Sequence, residues 1–212
     1  MKMGRVLMIA IVLLAFAVSI YVYPKMPELM AAHWNAQGQV DGYMPRVWGV
    51  FFLPLLLVGF TLLLLLLPKL DPLRENIEQF REQYERFVVL MLGFFLYVHL
   101  FTLAVNLGWE VQITRVISPG MALLFYGVGV LVEHAKRNYF IGIRTPWTLA
   151  REEVWDRTHK AGGKWFKLVG VLALGGAAWP QWGVYFLLVP VILVVLYTMV
   201  YSYLEYRKVE TH

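Results

Sequence analysis

The chain has 212 residues, 59% hydrophobic and only 16% charged, against roughly 45–50% apolar and about 25% charged in soluble globular domains. Such a composition excludes an ordinary water-soluble domain, because the surplus apolar surface has to face lipid. Cysteine is absent, which excludes disulfides, thiolate metal centres and a cysteine nucleophile, and the net charge of +5 is spread between apolar runs, so no direct nucleic acid binding is expected.

Crossing about 30 Å of hydrocarbon takes roughly 20 apolar residues in a helix. The first such run is 6–23, behind Lys2 and Arg5. No small-residue cleavage site follows Tyr21-Val22-Tyr23-Pro24, so the run reads as a retained anchor. Residues 24–46 form an outer loop with turn chemistry at Gly38 and at Asp41-Gly42. A second span, 47–67, contains Pro54. An inner loop, 68–86, follows it, with Ile77, Phe80, Tyr84 and Phe87 at spacings of three and four. That pattern suits an amphipathic surface helix or an extension of the next span.

Spans at 87–109 and 116–133 come next, then a second inner loop, 134–162. From Leu168 to Leu204 there is no charge, and a single helix of that length would reach about 55 Å, too long for one crossing. The break belongs at Trp179-Pro180-Gln181-Trp182, giving spans at 163–179 and 182–204. Lys164 and Lys167 would snorkel to the interface, and Gly170, Ala173, Gly175, Gly176, Ala177 and Ala178 would let helices approach closely.

Cytoplasmic loops carry most Lys and Arg. With the amino terminus inside, sixteen of the nineteen fall on the inner side, leaving Lys25, Arg46 and Arg115 outside. The expectation is one all-α membrane domain over 1–212: a polytopic transmembrane helix bundle of six spans with both termini cytoplasmic.

The stretch Asn138-Tyr139-Phe140-Ile141-Gly142-Ile143-Arg144-Thr145-Pro146-Trp147-Thr148 has readable local physics. Thr145 can cap a helix whose first position is Pro146, or Thr148 can cap one whose first turns hold Glu152 and Glu153. Leu149, Val154, Trp155 and Thr158 would give such a helix a face to lay against the bundle. Arg144 offers a planar donor fork for an anion or a carboxylate beside two threonine hydroxyls, or anchors the loop at the membrane surface.

His33, Asp41, His99, Glu133, His134 and His159 show no paired metal-ligand spacing and the topology splits them between sides, so no metal and no cofactor is expected. His99 and Asn106, seven residues apart on one face of the third span, are either functional polar groups or hydrogen bonds between helices. A small-molecule or ion transporter would need a polar path through these two, and an intramembrane enzyme a convergent cluster of titratable groups.

Two motifs carry a resemblance. The outer-loop pattern Pro27…His33-Trp34-Asn35-x-x-Gly38-x-x-Asp41-Gly42-Tyr43 is similar to a short amino-terminal module of unknown function found in many bacterial membrane proteins. The inner-loop pattern Asn138-x-x-x-Gly142-Ile143-Arg144-Thr145-Pro146-Trp147-Thr148…Val154-Trp155-x-x-Thr158-His159…Gly162-Gly163 resembles the SdpI family, immunity proteins against a sporulation-delaying peptide toxin. The resemblance implies a multi-pass protein of the bacterial cell membrane that is not an enzyme and protects its cell from a secreted, membrane-active peptide. In the founding member it also implies a signalling receptor that holds a transcriptional repressor at the membrane. Its partners would be the lipid bilayer, an antimicrobial peptide toxin and a cytoplasmic repressor protein. His33, Trp34, Asn35, Gly38, Asp41, Gly42 and Tyr43 would meet the peptide, with the Arg144 loop as inner output or structural clamp.

Overall fold

The apolar runs become long helices, and the prolines and charged residues between them set where those helices stop. The computed structural model describes residues 2–210. Helix α1 (Lys2–Val22) ends in a 3-10 turn at Tyr23–Lys25, where Pro24 occupies the first turn. The outer loop is then not irregular: β1 (Leu29–Trp34) and β2 (Val40–Pro45) pair antiparallel, with Met30 opposite Met44 and Ala31 opposite Tyr43. The bundle is therefore all-α except for one hairpin among the described residues. Of the two turn sites expected there, Gly38 lies in the turn with φ +80, whereas Asp41-Gly42 lies inside β2, beside a register shift opposite His33. The side chain of Asn35 claims the turn instead, its Oδ1 accepting from the amides of Gln37 (3.0 Å) and Gln39 (2.9 Å).

Helix α2 (Arg46–Leu70) carries Pro54 and Pro68 within it. The first inner loop folds as both of its alternatives: a short α3 (Arg74–Glu78), then α4 (Arg81–Asn106), which begins well before the expected span. Ile77, Phe80 and Tyr84 are buried on one face, as their spacing requires. Helix α5 (Ile113–His134) returns, followed by α6 (Pro146–Ala150) and α7 (Glu152–Ala173). The expected fifth span, 163–179, is corrected at both ends. Helix α7 starts eleven residues earlier, inside the inner loop, and stops at Ala173; α8 (Gly175–Ala178) and a 3-10 turn at Pro180–Trp182 carry the break. Helix α9 (Gly183–Glu210) completes the described chain.

Among the described residues five helices are long and apolar enough to cross a membrane: α1, α2, α4, α5 and the stretch ending in α9. Helix α7, charged in its first half, is the one that a six-span count adds. Helices α1, α2 and α4 pack together, α5, α7 and α9 pack together, and α4 against α5 joins the halves. The α5–α7 contact is close because it is built on glycine. A Cβ at Gly129 would sit 2.6 Å from the Gly163 carbonyl oxygen, and one at Gly170 would sit 2.6 Å from that of Ala122. The hairpin lies at the end of the bundle where α4 stops and α5 starts; the 135–145 loop lies at the opposite end.

Candidate functional site

At the loop end, most polar groups of the motif are taken up by one another and by nearby backbone. Asn138 is fully buried and uses its whole amide. Oδ1 accepts from Phe140 N (2.9 Å) and Ile141 N (2.6 Å), and Nδ2 donates to the carbonyls of Lys136 (2.7 Å) and Ile141 (2.8 Å). The turn that follows needs Gly142 at φ +118, where a Cβ would lie 2.4 Å from His159 Nε2. His159 is buried on α7. Its Nε2 accepts from Ile143 N (2.9 Å), which leaves Nδ1–H to donate to Trp155 O (2.9 Å). Burial pushes its imidazole down to about 4, so it is neutral at physiological pH.

Trp155, the largest fully buried side chain, stacks on His159 at 3.9 Å and donates through Nε1 to Ala135 O (2.7 Å). Of the two capping alternatives the chain takes the first. Thr145 caps α6 with Pro146 at its start, Thr148 N donates to Thr145 Oγ1 (3.1 Å), and Thr145 N donates to Thr148 Oγ1 (2.9 Å), closing a reciprocal box. Thr148 also donates to Ile143 O (2.8 Å), and Thr145 to Ser202 on α9 (3.0 Å). Trp147 lies against Tyr203, with ring centroids 5.2 Å apart. Thr158 is buried on the same face of α7 as Trp155. Arg144 is exposed and donates to Tyr139 O (2.6 Å), so its guanidinium closes its own loop.

Sequence reasoning missed Asp71. It is buried just after α2, and its Oδ1 accepts from Leu73 N (2.7 Å) while Oδ2 accepts from Tyr139 N (2.8 Å). Asn76 Nδ2 adds a bond to Arg137 O (2.8 Å). The bonds to Tyr139 and Arg137 tie the first inner loop to the second. The local signal for either is limited to the turn chemistry of Asp71-Pro72, and no periodicity announces the partner.

At the hairpin end, both polar residues of the third span act between elements. Asn106 treats the hairpin as a neighbouring strand would: Oδ1 accepts from Ala31 N (2.8 Å) and Nδ2 donates to Ala31 O (3.0 Å). His99 Nε2 meets Ser19 Oγ (2.8 Å), which also donates to Val50 O (3.1 Å), so one buried pair links α4, α1 and α2. His33 Nδ1 and Asp41 Oδ1 pair at 2.5 Å on the exposed hairpin. Tyr43 is exposed, and Trp34 is half-buried.

Beneath the hairpin lies a cleft of about 450 Å³. His33, Trp34 and Asn35 reach it from above, Trp48 and Phe52 from α2, Thr102 from α4, Ser118 and Met121 from α5, and Leu187 from α9. Thus three of the seven outer-loop candidates line it, while Gly38, Asp41, Gly42 and Tyr43 shape or face the other side of the hairpin. Its walls come from both halves of the bundle, which is why no local motif marks it. Among the described residues no three His, Asp or Glu side chains converge as metal ligands.

Residues 134–202 match the model of the SdpI/YfhL protein family, and residues 10–58 match a domain of unknown function, DUF1648. The first covers the knotted loop with α6 to most of α9; the second covers most of α1, the hairpin and the first half of α2. The chain is 25% identical over 205 residues to the immunity protein SdpI of Bacillus subtilis (strain 168), an alignment covering 96% of each chain. No solved structure matches. The resemblance read from the two motifs is borne out: residues 134–202 match the SdpI/YfhL family model and residues 10–58 the DUF1648 segment, within a multi-pass membrane protein.

Proposed function

We propose that this chain is a membrane immunity protein that protects a bacterium from a secreted, membrane-active peptide, and that the hairpin end is the surface that meets the peptide. The observation that carries the reading is the end-to-end similarity to the immunity protein SdpI, which spans both the hairpin and the loop motif. The charge asymmetry supports placing the hairpin outside and the Arg144 loop inside. Trp34 and Tyr43 then stand where a peptide arrives, and aromatic rings offer it large contact area at small entropic cost.

The polar groups of the bundle favour binding over transport or catalysis. His99 and Asn106, the central polar side chains a transport path would need, are engaged with Ser19 and the hairpin backbone. A finer reading, a receptor that holds a cytoplasmic repressor, is favoured by the exposed Tyr139 and Phe140 beside Arg144. It predicts that Tyr139→Ala abolishes repressor recruitment to membranes without changing protection.

The test of the main reading is survival. A sensitive bacterium expressing the chain is titrated with the sporulation-delaying peptide. Protection is expected; unchanged sensitivity despite confirmed membrane insertion would overturn the reading for that peptide.

A further inference from the structure

A peptide that meets the hairpin at Tyr43 on its exposed face and at Trp34 on the cleft rim leaves the depth of the cleft without a use. Its lining residues include no Asp, Glu, Lys or Arg. Of the three hydroxyls on its helical walls, Thr102, Thr114 and Ser118, two are already spent. Thr102 Oγ1 donates to Val98 O (3.0 Å) and Ser118 Oγ to Thr114 O (2.7 Å), so an apolar occupant strands neither of them. At the rim, Asn35 is committed to its own turn and His33 to Asp41. The chemistry on offer is hydrocarbon.

The hairpin roofs this space, held by Asn106 on Ala31, and its turn comes close to α5, where a Cβ added at Gly38 would stand 3.4 Å from Thr114 Oγ1. The walls on α2 are different. Trp48 and Phe52 line the cleft and yet are 56% and 44% exposed, so the space opens to the surface of the bundle beside α2. All helical lining residues named above lie within about eight residues of the helix ends at the hairpin, a depth of about 12 Å, which stays within one leaflet of a hydrocarbon core about 30 Å thick. The volume, about 450 Å³, is three times that of an engineered apolar cavity of roughly 150 Å³ that takes benzene, which scales to room for fifteen to twenty carbon atoms.

We propose that the cleft holds one acyl chain of a phospholipid from the leaflet at the hairpin end, entering sideways past Trp48 and Phe52 beneath the hairpin. The proposal rests on the membrane-spanning reading and is independent of the immunity reading. The test uses the full chain in nanodiscs of phosphatidylcholine that carries a diazirine in its acyl chain, with adducts mapped by mass spectrometry after irradiation. Adducts are expected on Thr102, Ser118 and Met121 as well as on the lipid-facing Leu123. Val184→Trp, which fills the cleft, is expected to abolish the first group and leave Leu123 unchanged. Ser118→Cys, nearly isosteric and in a chain without native cysteine, is expected to resist a charged, water-soluble thiol reagent. Adducts confined to Leu123 and its lipid-facing neighbours would overturn the proposal. So would a thiol in the Ser118→Cys variant that reacts as fast as one placed on the exposed turn by Gln37→Cys, since the cleft would then hold water and admit a soluble ligand.

Discussion

The two ends of the bundle spend their polar groups in opposite ways. At the loop end Asn138, Thr148, Trp155 and His159 are buried and turned on one another and on nearby backbone, and Asp71 draws the first inner loop into the same knot. At the hairpin end Asn106 holds the backbone of β1 and Asn35 the turn, and beneath them a cleft is left open. The difference teaches that the richest motif in a sequence need not mark the binding surface. A stretch dense in Asn, Thr, His and Trp is also what a sharply turning loop needs when it is buried against helices and every amide must be paired.

Breaking the knot is expected to cost more than loosening the hairpin. Trp155→Ala removes the largest fully buried side chain, its stack on His159 and its bond to Ala135, and should lower stability by about 3–5 kcal/mol, measured by unfolding in detergent. The loop end should also sense acid. His159 is held near 4 in the folded protein, below the roughly 6.5 of a free imidazole, so the unfolded chain takes up its proton first as pH falls. Stability should be full above about 6.5 and drop by roughly 3 kcal/mol as pH approaches 4, and His159→Gln should flatten that dependence. Asn138→Ala leaves two amides and two carbonyls of the turn without their partner and is expected to cost about 2–3 kcal/mol.

Changes at the hairpin end should be smaller and local. Asn106→Leu frees the backbone of Ala31; it should cost about 1–2 kcal/mol and speed amide exchange in the hairpin while leaving the 135–145 loop protected. Asp41→Asn breaks the exposed pair with His33 and should change stability by less than about 1 kcal/mol. Equal losses from Asn106→Leu and Trp155→Ala would erase the contrast between the ends.

The helices were legible because lipid forces long apolar runs, and the break at Trp179-Pro180 was legible because proline forbids the helix there. The Thr145 cap and its Pro146 start were readable for the same local reason. The hairpin was not, since 29–45 mixes Met, Ala, His and Gly without clean alternation, and its pairing is held in part by Asn106, about 75 residues away. The start of α7 was legible only as one of two alternatives, a helix with Glu152 and Glu153 in its first turns and Val154, Trp155 and Thr158 on one face; that it runs unbroken to Ala173 was not. The roles of Asn138 and His159 were likewise hidden: the residues stood out, but their partners are backbone groups that no side-chain pattern encodes.

The most direct measurement compares Trp34→Ala with Arg144→Ala at matched membrane levels in the survival titration with the sporulation-delaying peptide. If the hairpin end meets the peptide and the loop end is a structural clamp, Trp34→Ala should lose protection and Arg144→Ala should keep it. Protection retained by Trp34→Ala and lost by Arg144→Ala would contradict the division of labour between the two ends.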